Sequence, residues 1–132
     1  MTAGRTDEKT EQVTHLVDVR AMSEALTAFA RERDWEQFHS PKNLVMALTG
    51  EVGELSEIFQ WMSEEDSKRA AGHPQHAQAV RDELADVLLY VVRLADVLGV
   101  DLNAAAEHKL KANAAKYPVS KARGSSKKYT EI

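Results

Sequence analysis

Leu44-Val45-Met46-Ala47-Leu48-Thr49-Gly50-Glu51-Val52-Gly53-Glu54-Leu55-Ser56-Glu57-Ile58-Phe59 decides the fold, because its large apolar residues return every three or four positions. That is the period of an α-helix. Leu44, Val45, Leu48, Val52, Leu55, Ile58, Phe59 and Met62 predict a helix of about 20 residues, roughly 30 Å long. Ser40-Pro41 directly ahead supplies an N-cap and a proline suited to the first helical position, so the helix starts at 41 or 42. The same period recurs on both sides. Leu16, Val19, Met22, Leu26 and Phe29 predict an earlier helix that runs out in Arg31-Glu32-Arg33-Asp34. Val80, Leu84, Val87, Leu88, Val91, Leu94 and Leu98 predict a later one, closed by Gly99 as its C-cap. Asp101 can cap a fourth helix carrying Leu102, Ala105, Ala106 and Leu110, which stops near Tyr117-Pro118. Ser67 to Gln78, with Gly72 and Pro74, reads as a connection with room for one helical turn. No segment alternates with period two over a useful length, so an all-α fold with a four-helix-bundle core is expected.

A chain of 132 residues is one ordinary domain. Residues 1–14 are polar and without periodicity and read as a flexible leader, 15–118 as the helical domain, and 119–132 as a flexible basic tail. That tail holds Lys121, Arg123, Lys127 and Lys128 against Glu131. With no cysteine there is no disulfide framework, no thiolate-held zinc and no Cys nucleophile, and a reducing, cytoplasmic setting is expected. Any metal must be held by carboxylates or histidines. No apolar run long enough to span a bilayer escapes charge. Seventeen Lys and Arg against 21 Asp and Glu, a net charge of −4, argue against broad binding to nucleic acid or anionic membranes.

Where the acids sit is more informative than their number. On a wheel of 100° per residue with Glu51 at the origin, Leu44, Leu48, Leu55, Phe59 and Met62 fall between about 20° and 80°. Glu51 therefore lies inside the apolar stripe and Glu54 at its edge. With Glu83 at the origin of the later helix, Val80, Val87, Val91 and Leu94 occupy the same arc, Tyr90 lies near 340° and Asp86 near 300°. Each helix thus turns an acid pair at i, i+3 toward its packing partner. Consecutive helices of a bundle pack on each other, so the four carboxylates should converge. Four buried anions without compensation are strongly destabilising. These stripes offer no lysine or arginine, whereas a hard divalent ion takes oxygen ligands and bridges them to phosphates; Mg²⁺ is the natural candidate. Acid pairs of this kind also occur on solvated faces, and a helical oligomerisation module without activity, its acids serving surface ion pairs, is the alternative from another class.

The pattern Glu51-Val52-Gly53-Glu54, a connecting stretch, then Glu83-Leu84-Ala85-Asp86 resembles the MazG-like all-α nucleoside triphosphate pyrophosphohydrolases. Arg33-Asp34-Trp35-Glu36-Gln37-Phe38-His39, Phe59-Gln60-Trp61 and Lys128-Tyr129-Thr130-Glu131 are similar to the dCTP pyrophosphatase branch of that family. The resemblance implies hydrolysis of a nucleoside triphosphate, dCTP favoured, to the monophosphate and pyrophosphate, as nucleotide-pool sanitation. A broad (d)NTP pyrophosphohydrolase is the close alternative. It implies that Glu51, Glu54, Glu83 and Asp86 hold Mg²⁺ on the triphosphate, that Trp35 and Trp61 are base-pocket aromatics, and that Tyr90 packs against the sugar. It further implies that Lys109, Asn113 and Tyr117 face the phosphates or close the pocket, and that the assembly is a homotetramer. Leu26, Ala114 and Ala115 depart from the family's pattern. Read from the residues alone, Trp35 and Trp61 could equally be core or interface anchors, and His39 serves either as a pocket polar group or at the entry of the second helix. His73 and His76, an H-x-x-H in a loop, lack a helix to fix them as metal ligands.

Overall fold

In the computed structural model, which describes residues 15–132, the long helices are α1 (Arg20–Glu32), α2 (Pro41–Phe59), α4 (Ala77–Leu98) and α5 (Leu102–Lys116). Two short ones, α3 (Glu64–Ser67) and α6 (Val119–Ala122), and three 3₁₀ turns complete the described residues. The expectations for residues 1–14 lie outside them. No described segment is a strand, and no described helix is long and apolar enough to cross a membrane.

Local chemistry sets the boundaries. Ser40 caps α2 by accepting the Asn43 N–H at 3.2 Å, ahead of Pro41 at the first helical position. Such a cap is worth about 1 kcal/mol. Asp101 caps α5 through the Ala104 N–H at 3.0 Å. Gly99 ends α4 at φ 69°, the left-handed conformation that costs glycine little. The helix expected from Leu16 begins four residues later, at Arg20. The backbone before it is bonded elsewhere, because the Val17 N–H donates to Asn103 Oδ1 on α5 at 3.0 Å and the Arg20 N–H to Asp18 Oδ1 at 3.3 Å. Ser63 caps α3 through the Asp66 N–H, which makes the Glu64-Glu65-Asp66 run a helical first turn, where acids suit the positive end of the helix dipole. The stretch 119–132 carries α6 and a 3₁₀ turn at Tyr129–Glu131, with the Tyr129 ring edge-on to Tyr117 at 6.0 Å.

Helices α2 and α4 form the main pair and α1 packs on α4. The α2–α4 pair is antiparallel: His39 ahead of α2 meets Arg93 late in α4, whereas Glu51 meets Glu83 near the start of α4. The buried apolar residues are Ala30, Leu44, Ala70, Val80, Val92 and Ala95, most of them where these three helices meet. Helix α5 buries no residue fully, and Leu110 on it is 60% exposed. Met46 and Val119 are likewise open to solvent.

Candidate active site

Glu51 on α2 and Glu83 and Asp86 on α4 converge in the seam between the two helices. One carboxylate oxygen each from Glu51, Glu83 and Asp86 lies within 4.8 Å of the others. Glu54, one helical turn beyond Glu51, is close enough to raise the proton affinity of both Glu51 and Glu83, yet it is exposed. None of the ion pairs among the described residues reaches these four acids. The cluster is therefore an uncompensated concentration of negative charge.

Its electrostatics follow from that. The Glu51 carboxyl is pushed up to about 7, first by burial and then by its proximity to Glu83, Glu54 and Asp86. Glu83 is also raised, chiefly by burial, with Glu54 and Asp86 adding to the effect and Glu51 opposing it. Oε2 of Glu51 and Oε2 of Glu83 are buried without any hydrogen-bond partner. Two carboxylates are acceptors only and cannot satisfy one another. A shared proton, a water that donates to both, or a cation satisfies them. All the available donors are hard oxygens from two rigid helices, which fits a divalent ion such as Mg²⁺ and does not fit a soft metal.

Beside the cluster is an apolar cavity of about 230 Å³ lined by Leu26, Phe29, Trp35, His39, Asp86, Leu89, Tyr90 and Arg93. Asp86 belongs to both, so cavity and acids are continuous. The wall is built by the turn after α1. The Trp35 N–H returns to the Ala30 carbonyl at 2.8 Å, and the Trp35 ring meets Phe29 edge-on at 5.7 Å. A 3₁₀ turn at Glu36–Phe38 then delivers His39, whose N–H bonds to the Glu36 carbonyl, while Asn43 Nδ2 donates to the Phe38 carbonyl.

Of the residues singled out in the sequence, the structure thus brings together Glu51, Glu54, Glu83, Asp86, Trp35, His39 and Tyr90. It does not bring Trp61, Lys109, Asn113 or Tyr117 to this cavity within one chain. Trp61 follows the C-terminal end of α2, whose 19 residues span roughly 28 Å from the cavity end; it is 89% exposed. Lys109, Asn113 and Tyr117 lie on or after the exposed α5. His73 Nδ1 accepts the Gln75 N–H at 3.2 Å, which takes it out of any metal set with His76.

Arg93 is the residue that the sequence reading missed. It is 8% exposed, the one charged side chain among the buried described residues. Its guanidinium donates to His39 Nδ1 at 3.0 Å and to Thr27 Oγ1 and Asp96 Oδ2 at 3.2 Å each. With Glu83 at the origin, Arg93 falls near 280° on the wheel, beside Asp86 and Tyr90. The signal was a lone arginine flanking the acid face, outside the arc of the apolar stripe.

Comparison with known proteins agrees with this architecture. The chain is 48% identical over 117 residues to dCTP pyrophosphatase 1 of Rattus norvegicus, covering 89% of this chain and 67% of that protein. It is 47% identical to dCTP pyrophosphatase 1 of Homo sapiens, with the same coverage. The crystal structure of a pyrophosphatase from Archaeoglobus fulgidus superposes with a TM-score of 0.71 at 34% identity, covering 80% of this chain and 96% of that one. The family model that matches residues 47–132 takes in both acid pairs, α4 and α5, and with it the chain belongs to the MazG-like family.

Proposed function

We propose that the protein is a Mg²⁺-dependent dCTP pyrophosphatase, hydrolysing dCTP and modified cytosine deoxynucleotides to the monophosphate and pyrophosphate. The observation that carries this reading is the pair of buried, partnerless carboxylate oxygens on Glu51 and Glu83, set next to an aromatic cavity. An acidic, oxygen-only site accepts the metal that accompanies a triphosphate, and the adjoining cavity can take the base. The names of the relatives supply the same substrate and reaction.

Glu51, Glu83 and Asp86 would hold the ion, and when bound it neutralises phosphate charge and polarises the phosphorus under attack. Glu54 lies outside that tight trio and is exposed, which leaves its carboxylate to orient the attacking water and accept its proton. Trp35 stacks on the base and Tyr90, one turn after Asp86, packs on the sugar. Holding the nucleoside beside the acids fixes the triphosphate in reach of them, which is the entropic part of catalysis.

The working unit is a homotetramer. Trp61, Lys109, Asn113 and Tyr117 then complete the site of a neighbouring copy, which accounts for their exposure and their distance from the cavity in one chain. The lack of cysteine suits the cytoplasm, where the nucleotide pool is found.

Incubating the protein with Mg²⁺ and a panel of nucleoside triphosphates, with products identified by mass, tests the reading. Pyrophosphate and dCMP from dCTP are expected. Stepwise loss of single phosphates would contradict the reaction class.

A further inference from the structure

His39 lines the cavity wall together with Asp86, Tyr90, Arg93 and the Trp35 indole, and its protonation state is fixed by what stands behind it. Arg93 Nε donates to His39 Nδ1 at 3.0 Å. A guanidinium has donors only, so Nδ1 must offer its lone pair, and in a neutral imidazole the proton is then on Nε2. No hydrogen bond among the described residues uses His39 Nε2.

Arg93 is itself held fast. Its side chain is 9% exposed, and one guanidinium nitrogen donates to both Thr27 Oγ1 on α1 and Asp96 Oδ2 one turn further along α4. Thr27 closes the ring by donating its own hydroxyl to Asp96 Oδ2 at 3.1 Å. Asp96 thereby compensates the buried positive charge, and three elements lock the guanidinium in one orientation. The imidazole is fixed on its backbone side too, between the Glu36 carbonyl and the start of α2. Burial and the Arg93 charge hold the His39 pKa below its usual value, which keeps the ring neutral.

From this geometry we infer that Arg93 is a positioning residue that makes His39 an obligate Nε2–H donor toward the base, and so selects cytosine over uracil and thymine. The inference rests on the proposed function, because it assigns the cavity to the base. Cytosine presents an unprotonated N3 beside its O2, both acceptors, whereas uracil and thymine carry a proton on N3. A fixed donor pairs with the first edge and opposes the second. Released from Arg93, the ring can move its proton to Nδ1 and present an acceptor instead, and the discrimination fades.

Two measurements on the full chain test this. In the first, long-range ¹H–¹⁵N NMR of the substrate-free protein reads the His39 tautomer directly. The expected result is Nε2–H with a bare Nδ1 in the wild type and in Arg93→Gln, which keeps a donor, and a tautomer mixture in Arg93→Met. An Nδ1–H or doubly protonated His39 in the wild type would overturn the inference whatever the enzyme hydrolyses. In the second, kcat/KM is compared for dCTP and dUTP with Mg²⁺. Arg93→Met should lower the dCTP preference about tenfold, mainly through KM for dCTP, with recovery in Arg93→Gln. His39→Leu, which leaves the Arg93–Thr27–Asp96 ring intact, should lose the preference in the same way and covers the case in which Arg93→Met fails to fold. A wild type without dCTP preference, or variants that retain it, would overturn the inference while leaving pyrophosphohydrolysis standing. A wild type that hydrolyses no nucleotide removes the proposed function and, with it, the base-selecting role; the NMR result then stands only as a description of the tautomer.

Discussion

Glu51 concentrates the physics of the site. Its carboxyl is raised from 4.5 to about 7 because the folded protein buries it among Glu83, Glu54 and Asp86. A group whose folded pKa exceeds its unfolded one binds more protons in the native state, so its contribution to stability is present at low pH and is lost as pH rises through the folded value. Chemical denaturation of the metal-free protein should therefore show stability falling between about pH 4.5 and 7. A flat profile across that window would mean the acids do not crowd one another. Replacing Glu51 by Gln removes one of the repelling charges and keeps the shape, so the metal-free Tm should be unchanged or higher. If the acids were ion-pair partners on a solvated face, the same substitution would lower it. Glu51 and Glu83 were legible in the sequence because a carboxylate in an apolar stripe contradicts the local pattern, and Glu54 and Asp86 as their i, i+3 companions beside it. Arg93 was not, because it lies outside that stripe and two of its three side-chain partners, His39 and Thr27, are 54 and 66 positions away in the chain.

At the scale of elements, the period-three-and-four pattern located all four long helices, and the caps at Ser40, Gly99 and Asp101 were readable because each acts on its own neighbours. The start of α1 was missed for the opposite reason: it is set by Asn103, far along the chain, which takes the Val17 N–H. The turn between α1 and α2 carries Trp35 and His39 and makes the cavity wall. Stacking binds ground and transition states alike, so Trp35→Ala should raise KM for dCTP by roughly 5- to 150-fold, corresponding to ~1–3 kcal/mol per base, and leave kcat within about twofold. Steady-state kinetics on the folded variant decides this. An unchanged KM would remove Trp35 from the base site.

The described residues leave several large apolar side chains open to solvent. Leu110, Val119, Met46 and Trp61 all face outward, and α5 buries nothing completely. Self-association covers such surface, and a tetramer by sedimentation at micromolar concentration is the expected outcome. A monomer would leave the exposed residues of α5 and Trp61 without a role in the site. The sequence showed the stripes and not what they pack on, since a periodic pattern records that a face is apolar and carries no address for its partner. The same limit explains why Trp61, Lys109, Asn113 and Tyr117 matched a family motif and yet stand apart from the cavity in a single chain.

The convergence of acids from α2 and α4 on one metal-bearing triphosphate is the central claim, and pyrophosphate release from dCTP in Mg²⁺ by the wild type and Glu51→Gln, assayed side by side, tests it most directly. Turnover by the wild type and a loss on the order of a hundredfold or more in a variant that melts no lower without metal is the predicted result. A Glu51→Gln protein that releases pyrophosphate at the wild-type rate would contradict it.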